Sequence, residues 1–316
     1  MNRMNRFVIS LSFLISSLVI TSSFQFHKQI EKTTFHEVGG NEMRLESDTK
    51  FSTFHSPSNC TQKRQAVRTF VNRWKRTYKT ESFHFTVIDP VTGCTINFKS
   101  GFAGNYPMAS TVKFDIAVRI LQLVEMKKLR YSLVKSDLSK MMRQSDNESA
   151  QRLWEIMGGR HGFDLFAKAS GLKSTHHGVT WGSALTNSAD QGILLTKVFS
   201  KKGSLLNLTH QKDLRWLMTH VERTQTWGAG KMSARPLWTT GVKNGWYLTK
   251  PGDFGIVNRW RINTLGAIWD ADSNPRLIFT GYSNTWRTDT DGKSAWTELA
   301  KKSAEIFLKM DLPLAG

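Results

Sequence analysis

The sequence predicts an α/β (α+β) chain whose strands lie toward both ends and flank a helical insert. Three observations carry this. Residues 83–88 and 95–98 are strand-like and are joined by Asp89-Pro90-Val91-Thr92-Gly93, a turn signal. From Thr111 to about Thr224 the apolar residues recur mostly at helical spacing. From Trp238 onward the period changes again: 239–248, 255–269 and 276–282 read as strands separated by Lys250-Pro251-Gly252-Asp253 and Asp272-Ser273-Asn274-Pro275. Consecutive hairpin turns argue for an antiparallel sheet.

In chain order, residues 1–23 read as a targeting segment. Arg3 and Arg6 supply a positive start, 7–20 is an uncharged apolar and serine run, and Thr21-Ser22-Ser23 offers small residues for cleavage. The run is short for a membrane span, so a secretory signal peptide is expected, with an uncleaved signal anchor as the alternative. Residues 24–60 are polar and weakly patterned and read as an irregular N-terminal arm. Residues 61–316 then form one domain, with a sheet part over 61–110 and 225–316 and a helical insert over 111–224. A basic helix over 62–76 carries Val67, Phe70, Val71 and Trp74 on one side. Within the insert, 136–142 and 148–157 read as helices, the second ended by Gly158-Gly159, and a third begins near Asn187. The chain closes with a helix carrying Trp296, Leu299, Ala300, Ile306, Phe307 and Met310.

The formal charge of +19 points to attraction by anionic polymers or membrane surfaces. Nucleic acid is excluded as a partner: there is no helix-turn-helix signature, zinc finger or aromatic-rich RNA motif, and the basic residues are dispersed. Electrostatic association with an anionic cell envelope is expected instead. Cys60 and Cys94 can pair in an oxidising compartment or stay as buried thiols. No Cys/His cluster has zinc spacing, so no metal is expected.

One stretch organises the chemistry. Tyr106-Pro107-Met108-Ala109-Ser110-Thr111-Val112-Lys113 leads into an apolar helix with Val112, Ile116, Ala117, Ile120, Leu121, Leu123 and Val124 in one stripe. Asp115, Arg119, Gln122 and Lys127 fall on the other side. Lys113 is in register with the stripe and Ser110 is one turn before it, so both share the buried face. Desolvation lowers a lysine's pKa and makes it a usable base, and a serine one turn away is what that base can activate. Pro107 suits a helix start, whose free N–H groups would face Ser110. Downstream, Ser145-Asp146-Asn147 reads either as a plain N-cap or as a hydroxyl for proton relay with an amide for a substrate peptide bond. Lys243-Asn244-Gly245-Trp246 reads either as a basic strand with a glycine bulge or as a strand edge that pairs with an extended substrate.

The order Ser-x-x-Lys, Ser-x-Asn, Lys-x-Gly on helix, loop and strand resembles the serine β-lactamase and penicillin-binding protein superfamily. Tyr106–Lys113 and Ser145-Asp146-Asn147-Glu148-Ser149-Ala150 look closest to the class A β-lactamase-related serine hydrolases, over residues 62–310. The resemblance implies a β-lactamase/transpeptidase-like fold: a five-stranded antiparallel sheet flanked by helices, plus an inserted all-helical subdomain. It implies Ser110 as acylated nucleophile, Lys113 as general base and Ser145 as proton shuttle. Asn147, Lys243, Asn244, Gly245 and Trp246 would bind substrate, with the Ser110 and Trp246 N–H groups as oxyanion hole. No cofactor is implied.

The match departs from the family in three places. Asn244 replaces the hydroxyl residue of the third motif. The stretch 171–186, where class A enzymes carry the deacylating glutamate of Glu-x-x-Leu-Asn, has no acidic residue; His176 or His177 could stand in. The interval from Ser110 to Ser145 is short, which would leave the groove more open. The expectation is therefore an exported monomeric serine hydrolase acting on a β-lactam or related amide. A D-alanyl-D-alanine carboxypeptidase-like enzyme taking a peptidoglycan peptide is the alternative, and a non-hydrolytic peptide binder a third.

Overall fold

The computed structural model describes residues 57–309 apart from 81, 103, 202, 233–234 and 254–255. The leader read over 1–23 lies outside the described residues, as does the arm read over 24–60 up to its last four positions. Those four belong to the first helix, α1 (Pro57–Tyr78). Proline suits a first helical turn, where its missing N–H costs nothing.

A five-stranded antiparallel sheet is the frame. Its strands are β1 (Phe83–Ile88), β2 (Thr95–Ser100), β5 (Thr239–Leu248), β6 (Trp260–Trp269) and β7 (Pro275–Trp286), in the order β2-β1-β7-β6-β5. Between β2 and β5 the chain runs through β3 (Tyr106–Pro107), α2 (Val112–Glu125), α3 (Tyr131–Ser139), α4 (Asn147–Ile156) and α5 (Gly159–Ala169). It continues through β4 (Leu185–Thr186), α6 (Ser188–Phe199) and α7 (Leu208–Thr219). After β7, α8 (Asp289–Lys309) closes the fold. The two-residue strands β3 and β4 pair with each other.

Alternation along the strands sorts the core into two layers. Ile262, Ile268, Leu277 and Phe279 point to one face and pack with Val67, Val71 and Trp74 of α1 and Trp296 and Phe307 of α8. Leu265, Ala267, Trp269 and Ile278 point to the other face, against α2, α4, α5, α6 and α7. The three buried indoles of the first layer are bonded: Trp74 Nε1 donates to Ala295 O at 2.9 Å, Trp296 Nε1 to Ile262 O at 2.8 Å and Trp286 Nε1 to Ser283 Oγ at 2.6 Å. Gly281 makes room for Trp296, since a Cβ there would lie 2.5 Å from the indole ring.

Several elements differ from the sequence expectation. The strand expected over 255–269 starts only at Trp260, because Thr249 Oγ1 donates to Ile256 O at 2.6 Å and holds the preceding residues in a hairpin loop. The helix expected over 136–142 is instead α3, ending at Ser139, followed by a wider π turn over Lys140–Gln144. Among the described residues no helix is long and apolar enough to cross a membrane.

Cys60 and Cys94 form a disulfide that ties α1 to the start of β2. In the chain-entropy picture, closing a loop of sequence separation 34 stabilises the fold by about 3–4 kcal/mol. Cys60→Ser/Cys94→Ser should lower the urea midpoint and steepen the slope, because the freed unfolded chain exposes more surface, in equilibrium unfolding followed by circular dichroism.

Candidate active site

Ser110 lies in a 3-10 turn, Ala109–Thr111, that runs directly into α2. Pro107 does not start the helix. It sits in β3 opposite Leu185, where a residue with no N–H is tolerated because the pairing is only two residues long. Ala109, just before Ser110, has φ 50°, a left-handed conformation that costs an L-residue about 1–2 kcal/mol. The surroundings enforce it. Met108 N donates to Ala184 O at 2.7 Å, and Asn263 Nδ2, from β6, donates to Pro107 O at 2.8 Å and Met108 O at 3.1 Å. Thr111 Oγ1 donates to Met108 O at 2.6 Å and lies 3.1 Å from the buried Tyr282 hydroxyl of β7.

Lys113 is fully buried. Its Nζ donates to Ser145 O at 2.5 Å and Asn147 Oδ1 at 2.8 Å, with Ser145 Oγ at 3.3 Å. None of these bonds goes to Ser110. Desolvation pulls its pKa down to about 7, against a smaller opposing attraction from Asp146. The Ser145-Asp146-Asn147 stretch serves both of its readings at once. Asp146 caps α4, its side chain accepting from Ser149 N at 2.7 Å, while Ser145 and Asn147 hold the lysine. Ser145 adopts φ 61° at the end of the π turn.

From the sheet edge, Lys243 Nζ donates to Ser145 Oγ at 2.9 Å. This ammonium is also buried, and desolvation, followed by repulsion from Lys113, pushes its pKa well below the ordinary lysine value. One serine hydroxyl therefore sits between two lysine nitrogens. Gly245 brings β5 against the Ser110 turn: a Cβ there would lie 2.6 Å from Ser110 N and 2.7 Å from Thr111 N.

Asn244 does not offer its amide to the groove. With Lys243 and Gly245 turned inward, period-two alternation turns Asn244 and Trp246 to the other face. Asn244 is buried there, and its Nδ2 donates to Gln225 O at 2.8 Å and Trp227 O at 3.0 Å. Trp246 packs edge-on against Trp227, with Lys293 Nζ 4.6 Å from its ring centre. Only the backbone of these two residues can face a substrate at the sheet edge.

Asp115, on the side of α2 opposite the apolar stripe, is completely buried as well. Gln191 Nε2 of α6 donates to its Oδ1 at 3.1 Å, and burial pushes its pKa up to about 8. Helical spacing placed it opposite the stripe, but α6 covers that side too.

The segment 171–186 brings Trp181, which sequence reading missed, over the lysine: Lys113 Nζ lies 4.9 Å from its ring centre. His177 is tied away by Asp164, with Nδ1 2.6 Å from Oδ2 and its backbone N donating to Oδ1 at 2.8 Å. His176 is exposed and its backbone bridges Leu185.

The arrangement can keep an amine neutral near pH 7 one turn from a serine. A Gly245→Ala variant should separate β5 from the Ser110 turn, because the clash is with backbone and no rotamer relieves it. The expected result is a loss of about 1–3 kcal/mol in stability, read by urea unfolding.

No protein-family model matches the sequence, and no curated protein matches it. Solved structures do. A β-lactamase from Xanthomonas campestris pv. campestris is 20% identical, with a TM-score of 0.65 over 78% of this chain and 98% of that one. A β-lactamase from Chitinophaga pinensis is 15% identical, with a TM-score of 0.61 over 77% and 98%. One from Streptosporangium roseum is 17% identical, with a TM-score of 0.60 over 79% and 98%. The described chain thus has the fold of the serine β-lactamases, as the order of its three motifs implies.

Proposed function

We propose that this chain is an exported serine hydrolase of the β-lactamase-related type, acting through an acyl-Ser110 intermediate on a β-lactam or a related amide. The observation that carries the reading is the Lys113–Ser145–Lys243 cluster beside the Ser110 turn. A neutral lysine has two N–H groups and one lone pair. Ser145 O and Asn147 Oδ1 are matched acceptors for the two N–H groups, which leaves the lone pair for the Ser110 proton. Ser110 Oγ then bonds to the substrate carbonyl carbon while Lys113 takes its proton. When the C–N bond breaks, the Ser145 hydroxyl passes a proton to the leaving nitrogen and is resupplied from Lys113. Lys243 holds Ser145 in place and supplies positive potential for a substrate carboxylate. The N–H groups of Ser110 and Trp246 receive the oxyanion. The Cys60–Cys94 disulfide supports an oxidising, extracytoplasmic setting.

A second reading, a D-alanyl-D-alanine carboxypeptidase-like enzyme with slow deacylation, is favoured by one observation. Where a deacylating carboxylate would be expected, Trp181 covers Lys113 and the nearby His177 is held by Asp164.

Mixed with a fluorescent penicillin and followed by intact-protein mass spectrometry, the full chain should gain one adduct, short-lived and followed by ring-opened product on the first reading and persistent for many minutes on the second. Ser110→Ala should gain none. Rapid loss of the adduct with ring-opened product would favour the β-lactamase reading, and no adduct would remove β-lactams as substrates. A Ser110→Ala protein that kept every ligand affinity and phenotype would instead indicate a binder.

Acylation should follow the proton on Lys113. Below pH 7 the amine is charged and has no lone pair, so the rate is low; it should be half-maximal near pH 7 and level off above. Lys113→Met should lower the plateau by about 10²–10⁴-fold, measured as the second-order acylation rate from pH 5 to 9.

A further inference from the structure

We propose that the face formed by α1 and α8 is a docking surface for a linear, flexible phosphate polymer. Helix α1 contains no acidic residue, and Arg64, Arg68, Arg73 and Arg76 along it, with Lys79 just past its end, are exposed. Arg64 and Arg68 are one turn apart, Arg76 two turns further on, and at 1.5 Å per residue the row from Arg64 to Lys79 is about 22 Å long. Arg64, Arg68 and Arg76 have no carboxylate partner among the described residues. Unpaired cations in a row repel one another, and a run of anions relieves that repulsion.

Two grooves run between α1 and α8, one of about 760 Å³ that is lined by Arg73 and Arg76 of the row and one of about 940 Å³ that is lined by Arg73. Both are lined by Phe70, Arg73 and Lys302, so they adjoin one another. The larger one leads on to Arg235, Lys293 and Lys301. Its two carboxylates are already engaged: Glu298 accepts from the Tyr78 hydroxyl at 2.8 Å, and Glu305 from Lys302 at 3.0 Å. The lining therefore keeps a surplus of positive charge.

Shape and polarity choose among anionic partners. Among the described residues, no large apolar side chain is exposed on α1 or α8, so nothing there can insert into a bilayer as an interfacial helix does. Packed helices lie about 8–10 Å axis to axis, a spacing that suits a single extended strand. The polymer would lie on the sheet face away from α2, leaving the Ser110 groove open. This inference does not depend on the reaction proposed above.

The test is a salt titration of full-chain binding to long-chain inorganic polyphosphate, by fluorescence anisotropy. Affinity should fall as salt rises. Arg64→Glu/Arg68→Glu/Arg76→Glu should bind at least about tenfold more weakly, and its slope of log K against log salt should shrink by about 2. The same three positions changed to Gln should give a smaller loss in the same direction. Lys135→Glu/Arg160→Glu/Lys168→Glu, equally exposed on α3 and α5 and equal in net charge, should stay within about twofold of the unaltered chain. Equal weakening by both Glu triples would overturn the proposal, since net charge alone would then account for binding. Tighter binding to phosphatidylglycerol vesicles or to duplex DNA than to polyphosphate would overturn it as well.

Discussion

Two lysine nitrogens are held out of water around a single serine hydroxyl, and much of the molecule serves to keep them there. Lys113 is carried in by a helix and Lys243 by a strand at the opposite wall of the groove, and both meet at Ser145. Burying ammonium groups together is unfavourable unless one or both give up a proton, and this pulls both pKa values down. A site assembled this way is preset for proton transfer near neutral pH, without a histidine or a carboxylate at its centre. The cost is met by two large apolar layers, one on each face of the sheet, that position α2 and β5 independently of the polar contacts between them.

A second set of contacts fixes the backbone next to Ser110. Asn263 and Tyr282, on adjacent central strands, reach the turn from below, and Ala184 pairs with it from the side. These contacts hold the residues on either side of the left-handed Ala109. Beneath the same helix, Asp115 is buried with a pKa near 8, and so is mainly a neutral acid at pH 7. Its bond to Gln191 links α2 to α6, and Thr186 receives the other Gln191 N–H and accepts or donates to Thr175. Polar groups this deep specify how the helices seat on the sheet.

Much of this could be read from the chain itself. The spacing of Ser110 and Lys113 against an apolar stripe is local information, and so are the Asp146 cap and the strand carrying Lys243. The side on which Asn244 lies is also legible, because alternation in a strand puts neighbours on opposite faces. The burial of Asp115 is not legible. Helical period tells which side is opposite the apolar stripe, but not that α6 will cover that side as well. Trp181, Asn263 and Tyr282 had no local signal, since each acts on residues far away in sequence. The two-residue strands β3 and β4 are too short to have a period.

The disulfide between α1 and β2 has a consequence for the covalent integrity of the protein. It closes a ring that contains most of α1, the whole of β1 and the turn after it. A single backbone cut anywhere between Cys60 and Cys94 therefore leaves one molecule, with both pieces still joined. The arginine-rich helix is the segment richest in sites for a protease that cleaves after basic residues, and it is the segment that such a cut cannot release.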